Sequence, residues 1–519
     1  MAFFQAPAPL LPEILALHGK WSANKEAVIC DDVRWSWQDF ICASHQFAHA
    51  LRNKGVGRGE RVVVLMSNSE VMVQVLFGTM AAGAASVPIN VSVSDEALLG
   101  MIADAGAVAV VASVDQRVRI LAMQNKLPAT VKLLISDAEA EDTWLNIATL
   151  CHNQPATRPE IVLSDDDPLN IIYSSGTTGL PKGIVHSHRG RLDWAYDLAI
   201  ALRYHGAART LLTIGLYSNI SWVAMLSTLL AGGTLVVHRH FDASEFLRTT
   251  ESECISHTAM VPIQYQRVVE QMAKQAHDVS SMQAMMSCGS PLHESVKQAV
   301  FDNFSCGVIE LYGLTEGIIT TLDPEDASGR LASVGRPLIG TDIAIVDEFD
   351  QVLGANCSGE VVSRGRITMP GYFQRDAANK SAVYIDPRGQ QWLRSGDIGY
   401  IDDEGFLFIV DRKKDMILSG GQNIYPQDIE AVLKDHPQVD DVAVIGVNSS
   451  RWGETPLALV VAVAGEPLDT EALLAWANRR LGKQQRLCDV KLVAMLPRNP
   501  NGKILKRELR EQYGELCYD

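Results

Sequence analysis

Residues 171–183 read Ile171-Ile172-Tyr173-Ser174-Ser175-Gly176-Thr177-Thr178-Gly179-Leu180-Pro181-Lys182-Gly183. The pattern predicts an apolar strand that runs into a loop, where glycines let backbone N–H groups converge on an anion while hydroxyls and a lysine add hydrogen bonds and charge. Because Gly183 follows Lys182, the stretch does not match the G-x-x-x-x-G-K-[ST] pattern of nucleotide hydrolases. A flexible surface loop is the alternative, but the strand in front and the lysine at the end favour a phosphate-binding loop.

The segments around this loop predict an α/β fold with mostly parallel sheets. Short runs of apolar, β-branched residues are continuous rather than alternating, which is typical of strands covered on both faces. The predicted strands are Arg61–Leu65, Val108–Val111, Val131–Ile135 and Thr234–Val237. A helix is predicted over Glu70–Ala82. The uncharged stretch Val71–Ser94 is long enough for a membrane span, but its polar residues favour a buried helix followed by a buried strand.

The composition and charge of the chain argue against several classes of protein. The chain has 519 residues, 45 basic and 61 acidic side chains and a formal net charge of −16, so non-specific nucleic-acid binding is not expected. Its nine cysteines are scattered, which argues against a disulfide framework or a structural zinc site. The N-terminal segment lacks the basic region of a signal peptide. We therefore expect a soluble cytoplasmic protein without a membrane span.

A dense charge cluster, Asp411-Arg412-Lys413-Lys414-Asp415, indicates a domain boundary. After it, predicted helices alternate with strands over about a hundred residues, a normal size for a small domain. We expect an N-terminal domain over 1–412 and a C-terminal domain over 413–519.

Further motifs follow the predicted phosphate loop in order along the chain, and together they resemble the motif series of a known family. They are Tyr312-Gly313-Leu314-Thr315-Glu316, Gly335-Arg336-Pro337, Ser395-Gly396-Asp397, Asp411-Arg412, Ser419-Gly420-Gly421 and Pro497–Lys503. The sequence resembles the adenylate-forming superfamily of acyl-CoA synthetases, nonribosomal-peptide adenylation domains and beetle luciferases, and especially its chlorobenzoate- and coumarate-CoA ligases. The resemblance covers essentially the whole chain.

The resemblance implies a large N-terminal domain of layered, mostly parallel sheets and a small mobile α+β lid. It implies an acid–CoA ligase that uses ATP, Mg²⁺ and coenzyme A: a carboxylate and ATP give acyl-AMP and pyrophosphate, and the CoA thiol then displaces AMP. ATP- and AMP-binding roles would fall on Ser174, Ser175, Gly176, Thr177, Thr178, Gly179, Lys182, Gly289, Ser290, Pro291, Tyr312, Gly313, Asp397 and Arg412.

Three residues are implied to be catalytic. Glu316 would hold Mg²⁺ and Thr315 would hydrogen-bond the α-phosphate; an N-terminal helix cap at Thr315 is an alternative or additional role. Lys503 would bridge the carboxylate and ATP during adenylation only. It is predicted at the start of a helix over Ile504–Tyr513, where the macrodipole disfavours a cation unless an anion is bound.

The second step would use the small domain again after it rotates. Lys414 occupies the hinge position, where backbone torsions change. Ser419, Gly420 and Gly421 would line the thiol path, while Trp452 and Arg486 would hold the CoA nucleotide. The stretch Lys483–Leu487 lacks the aromatic residue and proline usual in these enzymes.

The acyl pocket is expected to include Tyr217, Ser218, Asn219 and Leu311. Asn219 cannot neutralise an ammonium group, which disfavours an α-amino acid. Leu311 stands where several relatives have glycine, which favours a small to medium aryl or aliphatic acid. Tyr217 could equally be an ordinary core aromatic.

Two other functions share the adenylation residues. One is an acyl-AMP ligase that loads a phosphopantetheine carrier protein, and the other is a luciferase-like oxygenase. The identity of the acid and the oligomeric state stay open at the level of sequence.

Overall fold

The structure is a computed structural model. It describes residues 8–141, 143–174, 182–419, 422–465, 467–483, 485–498 and 502–518. The chain divides into two compact units: the first comprises residues 1–331, 337–342 and 364–383, and the second residues 332–336, 343–363 and 384–519. The predicted boundary at 412/413 lies within the second unit and stays a prediction.

The first unit contains an eight-stranded sheet that carries the strand leading to the predicted phosphate loop. In spatial order its strands are Gly371–Tyr372, Lys182–Ser187, Pro168–Ser174, Ala85–Pro88, Arg61–Leu65, Ala109–Ala112, Leu133–Ser136 and Trp144–Asn146. From Pro168–Ser174 onward these neighbours are parallel, whereas Lys182–Ser187 pairs with it antiparallel. The strands Pro168–Ser174 and Lys182–Ser187 therefore run in opposite directions.

A second, nine-stranded sheet supplies the other strands that end near predicted site residues. Its spatial order is Arg336–Pro337, Ile318–Leu322, Ile309–Leu314, Ala284–Ser287, His257–Met260, Arg209–Leu212, Thr234–Val237, Glu26–Cys30 and Val33–Ser36. The five pairings that join Ile309–Leu314 through Glu26–Cys30 are parallel. The carboxyl ends of these strands consequently meet at one edge, where ligands bind in open α/β sheets.

Helices cover both sheets of the first unit. They are Leu11–Trp21, Trp37–Asn53, Glu70–Ala81, Asp95–Asp104, Val114–Ala122, Ile147–Cys151, His188–Ala201, Asn219–Leu230, Ala243–Ser252, Pro262–Met272, Glu294–Asn303 and Asp376–Ser381, with short 3-10 turns at Gln124–Lys126 and Pro324–Asp326. Two of them, Glu70–Ala81 and Asn219–Leu230, are almost wholly buried. Their apolar surfaces join the largest core of the unit.

The second unit is built on mixed sheets. Most of a five-stranded sheet belongs to it, in the order Thr341–Val346, Gly359–Gly365, Gln391–Ile401 and Val383–Ile385, with Leu407–Arg412 also paired to Gln391–Ile401. A six-stranded sheet runs Gln422–Ile424, Ile417–Ser419, Gly453–Ala462, Val439–Ser449 and Cys517–Tyr518, with Asp489–Leu492 paired to Gly453–Ala462. The helices are Pro426–Lys434, Thr470–Asn478 and Lys506–Tyr513.

The α/β class predicted from the sequence is confirmed. The uncharged stretch after Glu70 forms a buried helix, Glu70–Ala81, and then a buried strand, Ala85–Pro88, as its polar residues predicted. Across the described part of the chain, no helix combines the length and the apolar character that crossing a membrane requires.

The predicted start of the last helix is wrong. Ile504 is held in an extended bridge with Arg498, and Leu505 has non-helical torsions (φ −91°, ψ 71°), so the helix begins only at Lys506. Lys503 therefore lies before the helix rather than in its first turn. The macrodipole does not act on Lys503 in the way the sequence suggested. The electrostatics of this lysine depend instead on its charged neighbours.

Candidate active site

The carboxyl edge of the nine-stranded sheet collects three groups of predicted site residues. Tyr217 follows the strand Arg209–Leu212, Gly289 follows Ala284–Ser287, and Thr315 follows Ile309–Leu314. Since these strands belong to one parallel array, the loops that follow them emerge on the same side. The topology thus brings the predicted acyl-pocket and nucleotide segments to one edge of the first unit.

Thr315 and Glu316 form a tight hairpin turn, so the helix cap considered for Thr315 is wrong. The strand Ile309–Leu314 pairs antiparallel with Ile318–Leu322, and the N–H of Gly317 donates to the Leu314 carbonyl at 3.0 Å. Gly317 has a φ of +111°, and a Cβ there would lie 2.4 Å from the Ile367 oxygen. A glycine is required at this turn, which fixes the backbone of Glu316 beside it.

Glu316 is held by Tyr372, a residue that the sequence analysis did not single out. The Tyr372 hydroxyl donates to Glu316 Oε1 at 3.0 Å, and the Lys182 ammonium lies 4.8 Å from the centroid of the Tyr372 ring. Burial, with the neighbouring Glu316 charge, raises the pKa of the Tyr372 hydroxyl, so it remains a donor. One phenol therefore connects the lysine that ends the phosphate loop with the predicted metal ligand.

This arrangement fits a hard divalent cation. Glu316 is partly exposed, and Tyr372 donates to one carboxylate oxygen while the other accepts no hydrogen bond from the described residues. Mg²⁺ is usually held by one or two carboxylates together with substrate phosphates rather than by an all-protein cage. Among the described residues, no group of three or more histidine, cysteine, aspartate or glutamate side chains could hold a metal ion.

A buried ion pair fixes the loop that contains Gly289, Ser290 and Pro291. Lys297 is 2% exposed and donates to Glu310 Oε2, while Glu310 Oε1 accepts from the Leu292 N–H at 3.1 Å. Glu310 stands two residues before Tyr312 on its strand, so the pair ties this loop to the strand that carries Leu311, Tyr312 and Gly313. Gly289 has a φ of +100°, which suits the turn there.

The predicted acyl-pocket residues lie at the start of the buried helix Asn219–Leu230. Ser218 caps that helix by accepting from the Ile220 N–H at 3.3 Å. The Tyr217 ring packs against Gly215, where any Cβ would collide with it, and both Tyr217 and Asn219 remain partly exposed. Leu311 is 4% exposed and joins the same core.

A second residue that the sequence analysis missed, Arg191, donates to Asn219 Oδ1 at 2.8 Å. A tyrosine after a Pro-Gly pair, such as Tyr372, and an arginine inside an otherwise amphipathic helix carry weak sequence signals. Both residues gain their roles through contacts with distant parts of the chain.

The second unit brings another four predicted residues together. Asp397 is 2% exposed and stands directly across the antiparallel pair of strands from Arg412, whose Nε lies 3.1 Å from Asp397 Oδ1. Lys503 lies within the electrostatic reach of Asp397, Arg412, Lys414 and Asp415. Burial, with Arg412 nearby, lowers the pKa of Lys503 to about 7 and that of Lys414 to about 8.

The predicted CoA residues are only partly within the described residues. Ser419 ends the strand Ile417–Ser419 and pairs with Gly453, next to the exposed Trp452, whose ring lies 4.7 Å from the Arg451 guanidinium carbon. Arg486 is exposed in the loop before Asp489–Leu492. Gly420 and Gly421 lie outside the described residues, as do five of the phosphate-loop residues: Ser175, Gly176, Thr177, Thr178 and Gly179.

Comparison with family models gives two matches along the chain. The model described as "AMP-binding enzyme" matches residues 18–373, and the model described as "AMP-binding enzyme C-terminal domain" matches residues 428–503. The first match contains the predicted site residues from Ser174 to Glu316, and the second contains Trp452, Arg486 and Lys503, whereas Asp397, Arg412, Lys414 and Ser419 lie between the two matches.

Curated relatives and solved structures match nearly the full length. A long-chain-fatty-acid–CoA ligase of Mycobacterium tuberculosis is 33% identical over 488 residues, covering 93% of this chain and 94% of the relative. A feruloyl-CoA synthase from Amycolatopsis is 31% identical and covers 90% and 92%. Among structures, ATP-bound MatB of Rhodopseudomonas palustris is 26% identical with a TM-score of 0.88, and the match covers 97% of this chain and 99% of MatB. o-Succinylbenzoate CoA synthetase of Bacillus subtilis, with its acyl-adenylate, is 26% identical with a TM-score of 0.85 and the same coverage.

Glu316→Gln should weaken Mg²⁺-dependent ATP use by at least about 100-fold, because an amide is a poor substitute for a carboxylate ligand. Tyr372→Phe should cost less, roughly 10-fold, since it removes only the hydrogen bond that orients the carboxylate. Both effects are measured as pyrophosphate release at increasing Mg²⁺ concentration.

Glu325→Gln is the matched control, because Glu325 is an exposed carboxylate of the same unit that pairs with Arg203. Mg²⁺ dependence that is unchanged in Glu316→Gln would remove Glu316 from the metal site.

Proposed function

We propose, from the premise that this chain belongs to the AMP-binding enzyme family and is an AMP-forming acid–CoA ligase, that its acid is a small to medium aryl or aliphatic carboxylate. ATP and coenzyme A are its co-substrates, and Mg²⁺ is the metal that the family requires. We further propose that Lys503 stabilises the adenylation step and that the strand-turn residue Glu316 holds the metal.

The first step joins two anions. A carboxylate oxygen attacks the α-phosphorus of ATP, the bond to the β-phosphate oxygen breaks, and pyrophosphate leaves. Cations near the reacting oxygens stabilise this charge more strongly in a water-poor site than in water. In this proposal Lys503 acts on the carboxylate and α-phosphate, Thr315 donates to the α-phosphate, and Lys182 acts on the pyrophosphate leaving group.

The observation that carries the proposal is the surroundings of Lys503. Its neighbours within electrostatic reach are Arg412, Asp397, Lys414 and Asp415, so three cations share the region with two carboxylates. Lysines crowded by other cations are stabilised by an anion, and a phosphate ester with a carboxylate supplies one. Asp397, which stays buried beside Arg412, suits the ribose hydroxyls because a carboxylate accepts two hydrogen bonds.

Mg²⁺ bound at Glu316 would neutralise phosphate charge. It would thereby reduce the electrostatic repulsion between the attacking carboxylate and the α-phosphate. Tyr372 keeps Glu316 oriented for that role, and Tyr312, Gly313, Gly289, Ser290 and Pro291 supply the surface proposed for the adenine and ribose.

The thioester step requires the CoA thiol to attack the acyl-AMP carbonyl and release AMP. Ser419, Gly420 and Gly421 are proposed to border the thiol path, with Trp452 and Arg486 at the nucleotide end. Lys414 is proposed as the hinge between a domain over 1–412 and one over 413–519. A phosphopantetheine carrier protein in place of CoA stays an outcome for experiment, and the cytoplasmic location stays a prediction.

The proposed size of the acid rests on Leu311. Its side chain is buried in the core that also contains Leu216 and Ile220, the residues just before and just after Tyr217–Asn219. A leucine at this position occupies volume that a longer acyl chain would need. The fatty-acid ligase relative shows that the family also uses long chains, so the acid must be tested directly.

Lys503→Ala should slow acyl-AMP formation by about 10²–10³, because one preorganised electrostatic contact is removed from the transition state. The variant should still convert supplied acyl-AMP and CoA to thioester. Pyrophosphate release measures the first step, and thioester formed from synthetic adenylate measures the second.

Lys491→Ala is the control for this experiment, since Lys491 is a surface lysine of the same unit that pairs with Asp489. Equal losses in both steps for Lys503→Ala would show that the lysine supports the fold and does not act on adenylation.

Leu311→Gly should shift the acid profile toward longer chains. The substitution leaves a cavity that costs about 2–5 kcal/mol of stability, so the thermal midpoint is measured alongside kcat/KM for benzoate, hexanoate and dodecanoate. An unchanged profile in a folded variant, or a wild type that prefers dodecanoate, would contradict the proposed pocket.

A further inference from the structure

Arg191 is an arginine buried behind the predicted acyl pocket. It lies on the helix His188–Ala201, is 1% exposed, and sits between two tryptophan rings, with its guanidinium carbon 4.6 Å from the Trp194 centroid and 5.4 Å from that of Trp222. Burial lowers the pKa of Arg191 to about 9, so the side chain is still charged at neutral pH.

Two of the three guanidinium nitrogens of Arg191 donate hydrogen bonds to described residues, and the third does not. Nε donates to Asn170 Oδ1 at 3.1 Å and Nη2 donates to Asn219 Oδ1 at 2.8 Å. Nη1 is buried without a hydrogen-bond partner among the described residues, as are Asn170 Nδ2 and His186 Nε2. Burial, together with the Arg191 charge, holds the pKa of His186 well below its usual range, so this ring adds no charge. The Trp194 and Trp222 rings lie against the guanidinium, and no carboxylate pairs with it in the part of the chain that the structure describes.

A guanidinium has only donors, and this decides how the Asn219 amide is turned. Its oxygen must face Arg191, so its Nδ2 group points away from the buried cation. Asn219 is itself partly exposed, at the first position of the helix Asn219–Leu230, next to Tyr217 and Ser218. The Asn219 amide therefore presents an N–H donor with a fixed orientation, directed away from Arg191.

We infer that Arg191 is a specificity-determining positioning residue: it fixes Asn219 so that Nδ2 donates to an oxygen acceptor on the acid, and the preferred acid therefore carries such an oxygen beyond its reacting carboxylate. This rests on the proposed function, because it places Asn219 in the acyl pocket. The chemical class is a keto-, acyl- or carboxy-substituted acid rather than a plain hydrocarbon chain. The discrimination arises because a bound acid covers this donor and a hydrocarbon acid leaves it unpaired.

The test uses matched acids in which a C=CH₂ group replaces a C=O group of nearly the same size. The pairs are 4-oxopentanoate with 4-methylpent-4-enoate, 5-oxohexanoate with 5-methylhex-5-enoate, and 2-acetylbenzoate with 2-isopropenylbenzoate. Wild-type enzyme should prefer the carbonyl member of at least one pair by about 10–100-fold in kcat/KM for pyrophosphate release. Equal rates in all three pairs would overturn the inference and leave the ligase function standing.

Variants show whether Arg191 positions the Asn219 amide or only supports the fold. Arg191→Met and Asn219→Asp should each bring the preference to about 1: the first frees the amide to turn, and the second keeps a partner for Arg191 but presents an oxygen. Arg189→Met, on the same helix and paired with Asp165 at the surface, should retain the preference. Preference retained in folded Arg191→Met, or in Asn219→Asp, would overturn the inference. If none of the six acids released pyrophosphate, the proposed acid class would fail and the inference with it.

Discussion

The buried ammonium group of Lys503 shares a region of the second unit with two other cations, Arg412 and Lys414. Two carboxylates, Asp397 and Asp415, are its other main electrostatic neighbours. Burial removes this ammonium group from water, and the nearby Arg412 adds repulsion, so the pKa of Lys503 falls to about 7. An anionic ligand relieves that cost. The chain has a net charge of −16 and binds a polyanion, so it must concentrate positive charge locally.

In the first unit, a tyrosine contacts both a predicted phosphate-binding lysine and a predicted metal ligand. A phenol, Tyr372, donates to Glu316 while its ring lies against the ammonium group of Lys182. Tyr372 contacts both groups, and no direct ion pair joins Lys182 to Glu316 among the described residues. In the proposed mechanism Glu316 is thereby left to bind a metal and Lys182 to bind phosphate. The strands at the carboxyl edge of the nine-stranded sheet hold these turns, and the buried Lys297–Glu310 pair fixes the neighbouring loop.

Much of this could be read from the sequence, because strands buried on both faces leave continuous apolar runs. Arg61–Leu65 and Thr234–Val237 were predicted to the residue. The turn at Thr315-Glu316-Gly317 was not, since a hydroxyl residue followed by a glutamate begins a helix as readily as it turns a hairpin. The pairing of Ile309–Leu314 with Ile318–Leu322 and the positive φ of Gly317 decide between the two. Arg191 and Tyr372 act through partners far along the chain, and no local pattern identifies such partners.

The pH dependence of adenylation tests the role of Lys503 most directly. The lysine is charged below its pKa, so kcat/KM for ATP in pyrophosphate release should fall as the pH rises through about 7 in the free enzyme. The nearby Lys414, whose pKa lies near 8, also titrates in this range, so Lys414→Met is measured in parallel. The account predicts that Lys414→Met keeps the alkaline decline and Lys503→Arg loses it, because arginine stays charged. An alkaline decline that persists in Lys503→Arg, or a wild-type profile that is flat to about pH 9, would contradict it.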